Sequence, residues 1–361
     1  MGKKIRVALA GIGNTASAIV QGTHYYSEGK RAIGVMSEEI GGYKISDIEF
    51  VAAFDISSRK VGKDLADAIF ESPNLTPKYA EVPKTGVEVS AGPVHDGVAP
   101  HMVESFSPIS KDGTEDEVAK KLKDSGADML INLLPVGSEK ATKSYARAAI
   151  RATTAFINGI PVFIASNKEW QKKFVHAHLP VMGDDVKGQV GATILHRTLA
   201  NLFNMRGVLV DETYQVNIGG NTDFLNMTVE ERLKSKRVSK TGAVTSVLPY
   251  GMELEQMGKI RIGPSDYVPF LGNNKICYIY LKGKSFADFP IELKVKLSVD
   301  DKSMFAAVMS DAIRFMKVAI DHGLEGPLIE PSSYFFKHPP VQAKSDEEAL
   351  GWATKWLKNL K

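Results

Sequence analysis

The chain has 361 residues, 43% hydrophobic and 24% charged, with 45 basic against 42 acidic residues and a formal net charge of +3. That length suggests about two domains and a sizeable core, and the apolar and charged fractions exclude wholesale disorder. The near-balance of charge excludes an overall field that would favour nucleic acid or an anionic membrane, and the single cysteine, Cys277, excludes a disulfide framework.

In chain order, Lys4–Ala10 reads as a buried strand and Ala16–Tyr26 as the helix that follows it. A polar, Gly-rich stretch, Glu28–Asp47, precedes the strand Glu49–Asp55, and apolar spacing near four predicts a helix over Ser57–Phe70. Residues 71–113, rich in Pro and Gly, read as irregular connections. Thr114–Ser125 is a helix with an acidic first turn, Asp128–Leu134 a strand, Ser138–Thr153 a helix and Ala155–Ile157 a strand. Asn167 is a candidate cap for a helix through His178, before a short strand at Pro180–Gly183. Strands alternating with helices at this spacing predict an α/β fold with a parallel, doubly wound sheet.

The rhythm changes after about residue 205. Thr213–Gly219, Ile276–Lys282 and Ile291–Val299 alternate polar and apolar residues, the pattern of antiparallel strands with one wet face. Phe305–His322 and Glu347–Lys361 read as amphipathic helices that return to the first sheet. No apolar run reaches the roughly 18 residues of a membrane-spanning helix, and the lone cysteine fits a reducing cytoplasm.

Gly11-Ile-Gly13-Asn14-Thr15-Ala16 lies between the first strand and the first helix, where a dinucleotide-binding turn belongs. Gly11 permits the tight turn, Gly13 lets backbone approach a pyrophosphate, and Ala16 allows close packing of helix on strand. Asp55, ending the second strand, is placed to bind ribose hydroxyls, which favours NAD over NADP. The bland alternative is an ordinary strand-to-helix turn.

Glu231–Lys240 (ERLKSKRVSK) concentrates Arg232, Lys234, Lys236, Arg237 and Lys240. A helix puts Lys236 and Lys240 on one face, which suggests a shared anionic ligand; a solvated basic face is the competing reading. Gly183-Asp184-Asp185-Val186-Lys187 follows a predicted strand, at the end that faces the ligand crevice in an open sheet, or else caps a helix. Asn217–Asp223 and Gly272–Lys275 are turns, and Asp301 reads most simply as a helix N-cap. The eight histidines show no HExxH spacing, and neither GxSxG nor a P-loop occurs.

Taken together, VALAGIGNTASAIVQG, FVAAFD, NLLPVGSE, INGIPVFIAS, GDDVKGQVGAT, GGNTDFLNM, LKSKRVSKTGAV, IGPSDYVPFLGNNK and SSYFFKHPP resemble the myo-inositol-1-phosphate synthase family in its shorter, prokaryotic form. The resemblance covers nearly the whole chain. It implies a Rossmann domain over residues 1–200, completed by helices in 303–361, and an inserted α+β domain of the dihydrodipicolinate-reductase-like type over 201–302. It also implies NAD as cofactor, glucose 6-phosphate as substrate and a homotetramer, with no nucleic-acid or membrane partner.

By motif, the resemblance implies catalytic roles for Lys236, Lys240, Lys275, Lys337 and Asp301. It assigns cofactor contacts to Gly11, Gly13, Asn14, Thr15, Asp55, Pro135, Val136, Gly137, Ser138, Asp185, Asn221 and Asp223. The Ser-Gly-Gln-Thr phosphate segment of eukaryotic members appears here as Lys187-Gly188-Gln189-Val190. That makes Lys187 and Gln189, beside Lys240 and Lys275, candidates for the substrate phosphate. The implied chemistry puts Lys236 at the C5 oxygen as acid and base, Lys240 and Lys275 on phosphate and enolate, and Lys337 on the C1 aldehyde. A divalent or monovalent cation requirement is left open. The alternatives are a net oxidoreductase of the dihydrodipicolinate-reductase-like type, an NAD-sensing binding protein, and a paralogue acting on a related sugar phosphate.

Overall fold

Short, almost wholly buried strands such as IRVALA and MLIN cannot leave either face in water, so they stack into a sheet covered on both sides. The computed structural model describes residues 3–360. Its first sheet uses β1 (Ile5–Ala10), β2 (Ile48–Asp55), β3 (Val89–Ala91), β4 (Met129–Asn132), β5 (Ala155–Asn158), β6 (Pro180–Met182) and β11 (Gly326–Pro327). All pairings are parallel and the order is β11-β6-β5-β4-β1-β2-β3. Strand order therefore reverses between β1 and β4, the crevice where doubly wound sheets bind ligands.

Alternate residues of β1 feed opposite cores. Val7 and Leu9 pack with Met309, Ile313 and Met316 of the helix Asp301–Asp321, whereas Ala8 and Ala10 face Tyr145, Trp170 and Phe174. The helix Asp301–Asp321 thus returns to the first sheet, as its amphipathic pattern predicts. The stretch Glu28–Asp47 packs on that helix too: Met36 N–H donates to Asp311 (2.9 Å) and Arg314 donates to the Ser37 carbonyl (2.8 Å).

The second sheet is ordered β10-β9-β7-β8, from β7 (Leu209–Gly219), β8 (Ile260–Tyr267), β9 (Asn274–Lys284) and β10 (Pro290–Asp300). β9 runs antiparallel to both of its neighbours, β7 and β10, as their alternation predicts, while β8 joins β7 in parallel. Nothing in the sequence pattern points to β8, which contains Pro264; an edge position tolerates a strand proline. The helix Ala192–Met205 packs on β7 and β9.

Some expectations needed correction. Ser57–Phe70 forms only one helical turn, Leu65–Ala68, because the Asp64 carboxylate caps Ala66 N–H and also holds the backbone of Thr85 and Gly86. β3 lies within the stretch expected to be irregular. The helix capped by Asn167 ends at His176, and Asp346–Asn359 forms the last helix, Lys361 lying outside the described residues. Among the described residues, no helix is long and apolar enough to cross a membrane.

Candidate active site

The cavity opens at the C-terminal ends of β1 and β4 and runs down to the second sheet. At its upper end Gly11 has φ +91°, and a Cβ there would sit 3.0 Å from the Leu133 carbonyl oxygen, so only glycine fits. Gly13 differs: neither its backbone nor its neighbours require glycine, since a Cβ would meet nothing within 4 Å and would project into open room. The helix Asn14–Ser27 begins there with no side-chain cap on its N–H groups. Open room before an uncapped helix N-terminus suits a pyrophosphate.

Asp55 lines the same end and braces it. One carboxylate oxygen accepts from Ile12 N–H (2.7 Å), the other from Ile56 and Ser57 N–H (2.8 Å each). The Asn14 amide oxygen accepts from Thr76 N–H (3.1 Å), tying the 71–79 segment over the turn. Lys60, buried beneath it, donates to the Ile12 carbonyl (2.7 Å), and burial lowers its pKa.

At the lower end, elements far apart in sequence bring lysines together. The helix Glu230–Thr245 directs Lys236 and Lys240 to one side, as spacing predicts, and its other cations go elsewhere. Arg237 pairs with Glu230 at the surface, Lys234 is exposed, and Arg232 donates to the Val136 carbonyl (3.0 Å). The solvated-face reading is therefore right for Lys234 and Arg237 and wrong for the two pocket lysines.

Asp185 follows β6 in the left-handed region, φ +59°, a conformation that a non-glycine residue holds only when its surroundings enforce it. Its Oδ1 meets Lys337 Nζ at 2.9 Å and Lys236 Nζ at 3.4 Å, and its Oδ2 accepts from Ser239 Oγ at 2.6 Å. Burial works to raise the Asp185 carboxyl, but the two lysines and the serine hold it well below the usual range. Lys337 is pushed down to about 8, by burial first, with Asp185 opposing and Lys236 and Lys275 adding. Lys236 shifts up: burial disfavours its charge, yet Asp185, Asp223 and Asp301 outweigh that.

Lys275, opening β9, pairs with Asp301 at 2.8 Å. Asp301 is not the helix cap; Asp300 is, accepting from Ser303 N–H at 2.7 Å, which frees the Asp301 carboxylate for the pocket. Lys275 and Lys302 keep it ionised against burial. Lys240 is buried yet has no hydrogen bond or ion pair among the described residues. Burial, then Lys275, Lys236 and Lys337, depress its pKa well below that of a free lysine.

Fourteen of the expected site residues thus line one cavity: Gly11, Gly13, Asn14, Thr15, Asp55, Pro135, Val136, Asp185, Asp223, Lys236, Lys240, Lys275, Asp301 and Lys337. Five do not. Lys187 is fully buried, its ammonium committed to Asp346 (2.8 Å) and the Ser333 carbonyl (2.8 Å), and Gln189 donates to the Gly34 carbonyl (2.8 Å). Neither lines the cavity. Gly137 is covered by Arg232, Ser138 is buried beside the same guanidinium, and Asn221 caps the short helix Thr222–Asn226. Sequence reasoning missed Lys302 and Ser239. Ser239 lies three residues after Lys236 and so shares its helix face, a readable signal; Lys302 has none.

Among the described residues, no group of three or more His, Cys, Asp or Glu side chains is arranged to hold a metal ion. A parallel sheet with its ligand crevice at the β1–β4 reversal, set over a lysine-rich pocket on a second sheet, defines a class: Rossmann-like α/β proteins that carry a cationic pocket below the crevice.

A model of the family described as myo-inositol-1-phosphate synthase matches residues 191–302. The inositol-3-phosphate synthase of Corynebacterium glutamicum is 48% identical over 348 residues, 95% of each chain. That of Mycobacterium tuberculosis is 47% identical over 346 residues, 95% of this chain and 93% of the other. A crystal structure of a myo-inositol-1-phosphate synthase-related protein from Thermotoga maritima has the same fold, with a TM-score of 0.84 over 98% of both chains at 24% identity. The chain belongs to the myo-inositol-1-phosphate synthase family.

Proposed function

We propose that the chain converts D-glucose 6-phosphate to 1D-myo-inositol 3-phosphate (L-myo-inositol 1-phosphate), with NAD in the upper half of the cavity. The route is oxidation at C5, enolisation, aldol closure of C6 onto C1, and reduction at C5. One observation carries this reading: Lys240 is buried without an anionic partner, ringed by other lysines, below a dinucleotide-shaped site. A dianionic phosphate supplies the missing charge and favours the ammonium form of Lys240 that burial disfavours.

At the upper end Gly11, Gly13, Asn14, Thr15 and Asp55 would hold NAD, which when bound would supply reversible hydride chemistry at C5 with no net oxidant consumed. The residues of the chain handle protons and charge. Two protons leave the substrate, from the C5 hydroxyl and from C6; two return, to the C1 oxygen on ring closure and to the C5 oxygen on reduction. Lys337, with its pKa near 8 and sharing Asp185 Oδ1 with Lys236, is suited to take the C5 hydroxyl proton. It can then give that proton to the C1 oxygen, which it polarises as ammonium. Lys236, kept charged by carboxylates, fits the acid half of the acid and base role at the C5 oxygen. Lys240 and Lys275 stabilise phosphate and enolate charge in a pocket sheltered from water, and the phosphate itself takes the C6 proton.

We further read residues 201–302 as the catalytic and oligomerisation unit of a cytoplasmic homotetramer. The purified chain, incubated with glucose 6-phosphate and NAD+, is expected to accumulate inositol phosphate, identified by NMR, without accumulating NADH. Steady NADH release would overturn the proposal in favour of a net oxidoreductase; binding of NAD with no turnover would favour a sensor.

A further inference from the structure

We propose that Lys302 is a built-in cation of the pocket, spanning Asp223 and Asp301 where a divalent metal would otherwise be needed, so that turnover is independent of added metal. This rests on the synthase reading above. Lys302 starts the helix Asp301–Asp321, and its side chain is only 9% exposed. Its Nζ lies 3.3 Å from Asp301 Oδ2 and 3.7 Å from Asp223 Oδ2, and all three residues line the cavity.

The two carboxylates arrive from different places, Asp223 from the short helix after β7 and Asp301 from the end of β10. Left bare in a partly buried site, they would repel each other and any phosphorylated ligand. A divalent cation with oxygen ligands is one remedy; an ammonium is another. The donor set does not fit a metal. Asp301 already spends Oδ1 on Lys275 (2.8 Å) and faces Lys302 with Oδ2. An ion bound there would sit against two ammonium groups, and the Lys302 ammonium already fills the space between the two carboxylates. Burial disfavours the charge on Lys302, but Asp223 and Asp301 outweigh it, so the lysine stays an ammonium.

The test compares wild type, Lys302→Ala and Lys302→Arg after exhaustive chelation, with two readouts. Product formation is measured in EDTA and again in excess Mg2+, and Mn2+ binding to each protein is measured by electron paramagnetic resonance. Wild type is expected to turn over equally in both media and to bind no Mn2+ at stoichiometric concentration. Lys302→Ala is expected to lose roughly tenfold or more in EDTA, to regain part of that in Mg2+, and to gain a Mn2+ site. Lys302→Arg, which restores the charge, recovers turnover in EDTA. Wild type that dies in EDTA and revives with Mg2+, or that binds Mn2+ stoichiometrically, overturns the proposal; so does a folded Lys302→Ala indifferent to both. If Lys302→Ala fails to fold, the wild-type chelation and Mn2+ results decide. Should no inositol phosphate form in any medium, the synthase reading fails, while the Mn2+ contrast still judges Lys302.

Discussion

Lys240 shows most directly how this pocket trades stability for binding. A buried ammonium with no counter-charge costs on the order of several kcal/mol, and that cost is expressed in a pKa held well below that of a free lysine. Lys240→Met keeps the aliphatic stem and removes the charge. It is expected to raise the melting temperature by about 2 °C or more while reducing turnover roughly a hundredfold or more; a melting curve and a product assay on the same sample check both. A melt that falls with activity intact would remove Lys240 from the site. Its neighbours divide by legibility. The shared face of Lys236 and Lys240 follows from their spacing on a helix, whereas the freedom of Asp301 does not, because either Asp300 or Asp301 would satisfy the cap pattern. Only the backbone geometry chose Asp300.

Between elements, the helix Ala192–Met205 is latched to the second sheet by His196. Its ring nitrogens meet Thr213 Oγ1 at 2.7 Å and Gln215 Oε1 at 3.3 Å, both on β7. Burial pushes its pKa down to about 4, with the Gln215 hydrogen bond opposing. The folded state therefore resists a proton that the unfolded chain accepts near 6.5. Stability is fully present above about 6.5 and falls as pH drops toward about 4, by roughly 1.4 kcal/mol per unit from this group. Urea unfolding between pH 7 and 4.5 should show that slope in wild type and a shallower one in His196→Gln; equal slopes would assign the acid sensitivity elsewhere. Element assignment from sequence succeeded where burial pattern and caps agree, as in the Thr114–Glu117 capping box that starts Glu115–Ser125. It failed at β8 and at Ser57–Phe70, where edge position and a side chain bonded across the fold override local preference.

Across the whole molecule, the two sheets are held in register by ion pairs that span the chain. Asp346, at the start of the last helix, accepts from Lys187 Nζ (2.8 Å) and Arg197 Nε (2.9 Å), whose side chains are only 2% and 1% exposed. Asp346→Ala strands two buried cations without touching the cavity. We expect a loss of about 3 kcal/mol in chemical denaturation, with the KM for glucose 6-phosphate unchanged in whatever protein remains folded. A weakened KM at full stability would return Lys187 to the phosphate site.

The near-neutral total charge gave no hint of the local field in the pocket. By itself the sequence determined the parallel sheet and the glycine turn at its first crossover, because strand alternation, helix period and turn chemistry are written in residues adjacent along the chain. It also put Lys236 and Lys240 on one face. The tertiary structure alone decided which cations share the pocket: Lys187 left it for Asp346, and Lys302 entered it between Asp223 and Asp301. Those choices join positions tens to hundreds of residues apart, and a buried charge settles with whichever partner the packing of the two sheets brings within reach.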